Sequence, residues 1–314
     1  MPSAPPEAAA RRFLSDFLGS GGRTDQPVGL AVSGGADSLA LLLLAHAALP
    51  NLEVATVDHG LRKSGEDEAR FVANICSQLD VPVAILTLGA HTRGNVSVWA
   101  RHQRYGALVQ WMEDKGISQL MTAHHADDQL ETMIMRLNRG SGVAGLAGVR
   151  AKRDGIIRPL LGWRKSELEA LVQDCGLAPV DDPSNRDDRF DRARLRKALA
   201  GADWLDPVAA SRSAAALAEA EAALAWTAEA YENRRCAEAN GIISFDHRNL
   251  PRELQRRIVL ACLAKINQGI EPRGEELDRL IAGLKAGRIA TLAGVKCEGG
   301  DFWLFSLAPP RREI

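Results

Sequence analysis

The sequence has few of the features that mark membrane, secreted or metal-cluster proteins. Its longest apolar run, residues 39–49, has 11 residues and contains His46, whereas a membrane-spanning helix needs about 20. The first dozen residues carry prolines and Glu7 where a secretory signal has an apolar segment. The five cysteines are scattered and form no CxxC pair, which argues against a zinc ribbon or a cysteine-ligated cluster. These absences predict a cytoplasmic protein without a membrane partner.

Neither sign of charge dominates, since 39 Lys and Arg residues face 40 Asp and Glu residues. With 46% hydrophobic and 25% charged residues, the composition is that of a globular protein, and 314 residues suggest about two domains. Two segments are nevertheless basic: residues 134–165 have eight basic residues and one acid, and residues 186–197 have six basic residues and three acids. Such segments suit a polyanionic partner or a solvated basic face.

Strand-like and helical patterns alternate through the first two hundred residues. Apolar strand patterns cover residues 26–32, 52–57, 81–88 and 118–123, and helical patterns cover residues 37–49, 64–79, 98–115 and 127–139. This order predicts βαβ units and therefore an α/β fold with a doubly wound parallel sheet covered on both faces. Ligands of such sheets bind at the carboxyl ends of the strands.

The composition changes after about residue 200. An Ala- and Glu-rich helix is predicted over residues 202–240, with helices over 251–267 and 274–285 and short strands over 289–292, 295–297 and 302–307. We therefore predict a catalytic domain over residues 1–200 and a mainly helical accessory domain over residues 201–314 that ends in a short hairpin.

A glycine-rich turn between the first strand and its helix predicts a phosphate-binding loop. Gly34 and Gly35 let backbone N–H groups approach an anion, and the following helix adds its positive N-terminal end. Ser33 and Ser38 offer hydroxyl donors, and Asp37 implies a bridging Mg²⁺. A plain strand–turn–helix with Asp37 as N-cap is the simpler interpretation, but the full combination favours phosphate binding. The loop has neither the GxxxxGK[ST] nor the GxGxxG pattern.

Two further segments end strands at the same edge of the sheet. Asp58 and His59 follow the second strand and suit a nucleotide pocket or an ordinary turn. His124 to Thr132 closes the fourth strand and opens a helix. There we predict Asp127 as N-cap and a buried stripe of three apolar residues, Leu130, Ile134 and Leu137.

Asp128 and Glu131 then fall opposite that stripe. Acids at a helix start can simply complement its dipole. Facing a triphosphate, however, paired carboxylates can hold Mg²⁺ or orient a cationic amine.

These segments together resemble the tRNA(Ile)-lysidine synthetases, a family of the PP-loop ATP pyrophosphatase superfamily. The resemblance covers residues 28–200 and rests on motifs that occur in the family's order. These are Ser33-Gly34-Gly35-Ala36-Asp37-Ser38, Val57-Asp58-His59-Gly60-Leu61-Arg62, Ala100-Arg101 with Arg104-Tyr105, His124-His125-Ala126-Asp127-Asp128-Gln129 with Glu131-Thr132, Arg139-Gly140-Ser141-Gly142, Arg158-Pro159-Leu160-Leu161, and Asp182-Pro183-Ser184-Asn185 with Phe190, Arg192 and Arg196.

The resemblance implies an adenine nucleotide alpha hydrolase-like fold and a two-step reaction. ATP adenylates the C2 oxygen of the cytidine at the first anticodon position of tRNA(Ile) with a CAU anticodon. The amine of L-lysine then displaces AMP.

The resemblance also implies roles for the candidate site residues. Residues 33–38 bind pyrophosphate with Asp37 and Mg²⁺, and Asp58, His59 and His124 contact nucleotide. Arg104 contacts the α-phosphate, while Asp128 and Glu131 bind lysine, Asp128 being a second candidate metal ligand. Four basic residues are assigned to tRNA phosphates: Arg139, Arg158, Arg192 and Arg196.

Three other functions stay open at this point. A PP-loop tRNA thiolase commonly needs paired cysteines or an iron–sulfur cluster. A small-molecule amide synthetase would ignore tRNA, and a nucleotide-binding module would have no turnover. The Ala-rich helix leaves oligomerisation open.

Overall fold

The computed structural model describes residues 1–58, 63–88, 96–180, 191–269 and 272–309. The chain divides into two compact units, Met1–Ala218 and Glu219–Ile314. The division falls within one helix, α9 (Pro207–Arg235), whereas the sequence analysis placed it near residue 200. The first turns of this helix are tied to the N-terminal unit, because the Ser211 hydroxyl donates to the Leu161 carbonyl at 2.6 Å.

The N-terminal unit is built on one six-stranded sheet. Its strands are β1 (Val28–Ala31), β2 (Leu52–Asp58), β3 (Val83–Thr87), β4 (Gln119–Met121), β5 (Lys152–Arg153) and β6 (Ile156–Ile157). Its helices are α1 (Glu7–Gly19), α2 (Ala36–Ala48), α3 (Lys63–Gln78), α4 (Val96–Lys115), α5 (Ala126–Leu137), α6 (Val143–Leu146), α7 (Lys165–Asp174) and α8 (Asp191–Leu199). The strand order is β3-β2-β1-β4-β6-β5, and all neighbours are parallel except β5, which runs antiparallel to β6.

Helices cover both faces of this sheet, which confirms the predicted doubly wound α/β fold. On one face α2 is apolar on all sides, with residues 39–45 buried, because it packs against α1 and α7 as well as the sheet. On the other face Leu108 and Trp111 of α4 pack with Ala55 and Leu120 of the strands. Successive residues of β2, Val54 and Ala55, enter two different clusters, because neighbouring side chains of a strand point to opposite faces.

The C-terminal unit contains a five-stranded antiparallel sheet, a larger sheet than the single predicted hairpin. Its strands are β7 (Cys236–Ala239), β8 (Ile242–Phe245), β9 (Ile289–Leu292), β10 (Val295–Glu298) and β11 (Trp303–Leu307), in the order β7-β8-β11-β10-β9. Two helices, α10 (Arg252–Ile266) and α11 (Gly274–Lys285), share its core. The predicted helix over 202–240 stops at Arg235, because the next four residues pair with β8.

None of the helices in the described parts of the chain has the length and apolar character needed to cross a membrane.

Candidate functional site

The turn from β1 into α2 is shaped by its two glycines. Gly34 has φ +82°, a conformation that strains residues with a side chain. Gly35 has extended backbone angles, φ −75° and ψ 161°, and caps α2, which begins at Ala36. The first N–H groups of a helix have no intrahelical partner and carry its positive end. The loop therefore presents a region suited to phosphate.

The two serines of this loop have different surroundings. The Ser38 hydroxyl accepts from the Ser33 backbone N–H at 3.1 Å and donates to the Gly35 carbonyl at 3.0 Å. The one hydroxyl hydrogen of Ser38 is thus used within the turn, whereas the sequence analysis predicted that this hydroxyl donates to phosphate. The Ser33 hydroxyl lies 3.3 Å from that of Ser38 and lines the adjoining cavity.

A cavity of about 300 Å³ opens at the carboxyl ends of β1, β2 and β4. Its walls come from the loop, the three strand ends, α4, α5 and α8. The lining residues are Ala31, Val32, Ser33, Gly35, Asp37, Ser38, Ala55, Val57, Arg104, Leu108, Thr122, Ala123, His124, Asp128 and Arg192. Asp58 directly follows Val57 at the end of β2, and His59 lies outside the described residues.

Arg104 brings a positive charge to this cavity from α4. Its Nε atom is buried and has no hydrogen-bond partner among the described residues. Its guanidinium carbon lies 5.3 Å from the centre of the Tyr105 ring. Buried donors are normally satisfied, so an anionic ligand would complete this one.

His124 is a neutral group in the same wall. Burial lowers its pKa to about 4, despite the nearby Asp128 carboxylate. Its Nδ1 lies 3.0 Å from the Thr122 hydroxyl oxygen, which fixes the ring at the end of β4.

His125 lies among three carboxylates and was not singled out from the sequence. Its Nε2 is 3.6 Å from Asp37 Oδ2 and 3.4 Å from Asp128 Oδ2, and its Nδ1 is 3.6 Å from Asp127 Oδ2. Burial acts to lower the pKa of His125, but hydrogen bonding and the charges of Asp127, Asp37 and Asp128 outweigh it and raise the pKa to about 10. A buried imidazolium therefore joins the phosphate loop to the start of α5.

His125 also replaces Asp127 as the N-cap of α5, which corrects the sequence prediction. The His125 backbone N–H donates to Asp128 Oδ2 at 3.3 Å. Asp127 Oδ2 instead accepts from the backbone N–H of Lys165 at 2.8 Å. Burial acts to raise the pKa of Asp127, yet the His125 and Lys165 hydrogen bonds lower it to about 2. In the sequence, the signal for this N-cap is His125 itself, which lies three positions before Asp128.

The acid pair of α5 is held by two arginines of α8. Arg192 donates from Nε to Glu131 Oε2 at 2.7 Å and from Nη2 to Asp128 Oδ1 at 2.9 Å. Arg196 donates to both Glu131 oxygens, at 2.7 and 3.1 Å. The Glu131 side chain is only 5% exposed, so its charge is compensated almost entirely by these two guanidinium groups.

The predicted buried stripe of α5 is therefore wrong in part. Leu137 is 65% exposed, whereas Gln129 and Glu131 are buried beside Leu130. The acidic face is covered because α8 supplies arginines that neutralise it. A stripe assigned from apolar residues alone misses this arrangement.

The four arginines assigned to tRNA differ in accessibility. Arg139 is largely exposed and lies 3.8 Å from Asp191. Arg192 and Arg196 are partly exposed but engaged with α5. Arg158 is only 8% exposed, and its Nη1 donates to the Arg150 carbonyl at 2.9 Å. Of the four arginines, Arg139 is therefore the most accessible to a polyanion, whereas Arg158 is buried within the N-terminal unit.

One carboxylate oxygen of the site lacks a partner. Asp37 Oδ1 is buried without a hydrogen-bond partner among the described residues. The described residues contain no cluster of three or more metal-binding side chains. Mg²⁺ commonly uses only one or two carboxylates together with substrate phosphates, so Asp37 fits such an ion. Asp128 fits less well, because both of its oxygens already accept hydrogen bonds.

Comparisons with known proteins show which proteins this chain is similar to. A family model described as a PP-loop domain matches residues 6–202. The tRNA(Ile)-lysidine synthase of Novosphingobium aromaticivorans is 45% identical over 315 residues, which cover 97% of this chain and 95% of that protein. The enzyme of the same name from Zymomonas mobilis is 39% identical, covering 91% and 90%.

Among solved structures, the U34-tRNA thiolase NcsA from Methanococcus maripaludis matches with a TM-score of 0.55. It is 18% identical and covers 68% of this chain and 80% of its own. A likeness at that identity supports the fold alone.

Proposed function

Because this chain belongs to the tRNA(Ile)-lysidine synthase family of PP-loop proteins, we propose that it joins L-lysine to C2 of the first anticodon cytidine of tRNA(Ile). ATP is the energy source. It adenylates the C2 oxygen with release of pyrophosphate, and the lysine amine then displaces AMP. The observation that carries this proposal is that the phosphate loop, Arg104 and Asp128 line the same cavity.

The phosphate loop and Arg104 serve the first step. The N-terminal end of α2 stabilises the negative charge that grows on the departing pyrophosphate. Arg104, whose Nε lacks a described partner, contacts the α-phosphate. Asp58, His59 and His124 complete the nucleotide site in this proposal, and His124 acts there as a neutral hydrogen-bonding group.

Mg²⁺ fits beside Asp37. When bound, the ion neutralises phosphate charge and so assists departure of pyrophosphate. Asp37 Oδ1, which has no hydrogen-bond partner among the described residues, is the oxygen available to the ion. His125 Nε2 lies 3.6 Å from the other carboxylate oxygen, Oδ2, and orients it.

Asp128 binds the lysine amine in the second step. An ammonium group is unreactive as a nucleophile and must lose a proton before it attacks. Asp128 is the member of the acid pair that lines the cavity. Glu131 supports it through Arg192, which bridges the two carboxylates.

Basic residues of the N-terminal unit contact tRNA phosphates in this proposal. Such contacts add affinity but do not identify bases. Arg139 is the strongest candidate because of its exposure. Arg158, Arg192 and Arg196 would each first have to leave the interactions described above.

The other functions considered from the sequence are not favoured. Cys175 is the one cysteine between residues 119 and 200, and burial raises its pKa, which suits a structural thiol better than a sulfur carrier. An amide synthetase or a nucleotide-binding module would not need the near full-length similarity to tRNA(Ile)-lysidine synthases.

The deciding experiment follows labelled lysine into tRNA(Ile) transcripts with a CAU anticodon, in the presence of ATP and Mg²⁺. Transcripts of tRNA(Met) test substrate choice. Asp128→Asn tests the second step, with Asp174→Asn on the exposed side of α7 as its matched control. We expect label in tRNA(Ile) alone. Asp128→Asn should lose labelling yet keep tRNA-dependent pyrophosphate release.

Two results would contradict parts of the proposal. Pyrophosphate release with tRNA but without lysine incorporation would mean that another nucleophile is used. Absence of any response to tRNA would remove the proposed substrate, although the PP-loop assignment would stand.

A further inference from the structure

Two cysteines of the C-terminal unit lie in contact. Cys236 is the first residue of β7 and is partly exposed, whereas Cys262 is fully buried on α10. Their Sγ atoms are 3.9 Å apart. A disulfide needs about 2.05 Å, so side-chain rotation has to close about 2 Å. The partner required for a disulfide is thus already adjacent.

Cys236 differs from the other four cysteines in the direction of its pKa shift. Burial raises the pKa of Cys76 to about 11 and that of Cys297 to about 12. For Cys236 the hydrogen bond with the Cys262 thiol, together with the Lys265 ammonium, lowers the pKa and outweighs burial and the Glu232 charge, which raise it. The pKa of Cys262 is raised correspondingly. Because thiolates react with peroxides, Cys236 is the expected point of attack.

We propose that Cys236 and Cys262 form a reversible disulfide when the protein meets a hydroperoxide. The Cys236 thiolate attacks one oxygen of hydrogen peroxide, the O–O bond breaks, and a sulfenic acid and hydroxide result. The Cys262 sulfur then attacks the sulfenic sulfur, the S–O bond breaks, and the departing hydroxide takes the Cys262 thiol proton as water. In sum, two thiols lose two electrons and peroxide is reduced to two waters.

The bond would join β7 to α10 within one buried cluster. Cys262 belongs to that cluster and Cys236 packs against it. The cysteines are 26 positions apart, so the bond restricts the unfolded chain over that span. The oxidised C-terminal unit should therefore unfold at a higher temperature than the reduced one.

The test treats the native full-length protein with limiting hydrogen peroxide and free glutathione as a reference thiol. Intact mass, alkylation of free thiols and proteolytic mapping follow the products. We expect loss of two hydrogen atoms, a Cys236–Cys262 peptide link, and full reversal by dithiothreitol. Cys262→Ser should accumulate a Cys236 sulfenic acid that dimedone traps. In the Cys236→Ser variant Cys262 should remain reduced.

Cys297→Ser is the matched control. Cys297 is buried in the same unit and donates from Sγ to the Val295 carbonyl at 3.6 Å, a bond that serine can also make. This variant should form the disulfide at the wild-type rate. The proposal is overturned if wild-type protein keeps five free thiols while glutathione is consumed. Oxidation of another cysteine first, or over-oxidation of Cys236 without a link to Cys262, would overturn it equally.

Discussion

Asp37 is the residue whose replacement tests the phosphate loop most directly. Asp37→Asn preserves size but removes the charge of an oxygen that is buried without a described partner. We expect tRNA-dependent pyrophosphate release to fall by about 10²–10³-fold, the range seen when one electrostatic contact to a developing charge is lost. Circular dichroism should show an unchanged fold. Asp174→Asn should leave the rate unchanged, and an equal rate for Asp37→Asn would remove the carboxylate from the reaction.

His125 links stability to pH. Its folded-state pKa of about 10 lies above the usual value of about 6.5, so the folded protein holds a proton that the unfolded chain releases. The stabilisation is therefore complete below about pH 6.5 and is lost as the pH rises through about 10. His125→Gln should lower the free energy of unfolding at pH 7 by about 3 kcal/mol, because three carboxylates lose their buried cation. Urea unfolding at several pH values measures both effects.

The control for this experiment is His46→Gln, since His46 is exposed on α2. It should retain the decline of stability between pH 7 and 10 that His125→Gln loses. If both variants decline as the wild type does, His125 is not the group that holds the extra proton.

Single residues differ in how far the sequence could predict them. The turn at Gly34 and the place of Asp37 depend on neighbours within a few positions, and the sequence analysis located both. The environment of His125 depends on Asp37, nearly ninety positions away. No local pattern carries that information.

At the scale of elements, α8 holds α5 through charge. Arg196 donates to both oxygens of Glu131, which is almost completely buried. Arg196→Ala should therefore lower the free energy of unfolding by about 2–3 kcal/mol, because a buried carboxylate loses part of its compensation. Adding Glu131→Gln should recover part of this loss. Urea unfolding of the three proteins gives the values.

Arg194 supplies the comparison on the same helix. Its side chain is largely exposed and pairs only with the exposed Asp191 among the described residues, so Arg194→Ala should change stability by about 0.5 kcal/mol or less. If Arg196 also contacts tRNA, Arg196→Ala should reduce the salt dependence of tRNA binding as well. Equal stability losses for the two variants would contradict the proposed role of Arg196 in holding α5.

Two helices, α2 and α5, show when a pattern of apolar residues predicts the buried surface correctly and when it does not. Residues 39–45 of α2 are all apolar, and their burial on all sides follows from that composition. The helix α5 has a mixed composition, and its buried face includes Gln129, whose side chain bonds to Val149, and Glu131, which bonds to α8. A pattern of apolar residues cannot predict which polar residues are buried by hydrogen bonds to specific partners. For β7 the local composition predicts helix, and it is the pairing with β8 that makes these four residues a strand.

At the scale of the whole molecule, the chain divides into two compact units, each with its own buried residues. The alternation of strands and helices predicted the four parallel strands β1 to β4, because βαβ units are local and repetitive, but it did not predict the two-residue strands β5 and β6. The C-terminal sheet joins β8 to β11 across nearly sixty residues, so the sequence predicts the neighbouring strands β9, β10 and β11 but not β7 and β8. The position of the division also depends on packing along α9, which its uniform composition does not reveal.

The two units predict two responses to a core substitution. Phe305 is fully buried in the C-terminal cluster, and Phe305→Ala should cost about 3–5 kcal/mol of stability there. Calorimetry should show a lower unfolding temperature for that unit. Saturating ATP should still raise the transition of the N-terminal unit, because a ligand stabilises the unit that binds it.

Phe302→Ala provides the matched control, since Phe302 is a neighbouring phenylalanine that is 47% exposed. It should shift neither transition by more than about a degree, given the small effect of most surface substitutions. Loss of the ATP-dependent shift in Phe305→Ala, with that shift retained in Phe302→Ala, would mean that the C-terminal core supports nucleotide binding. A single transition that moves as a whole with both ATP and Phe305→Ala would show that the two units unfold together in one cooperative step.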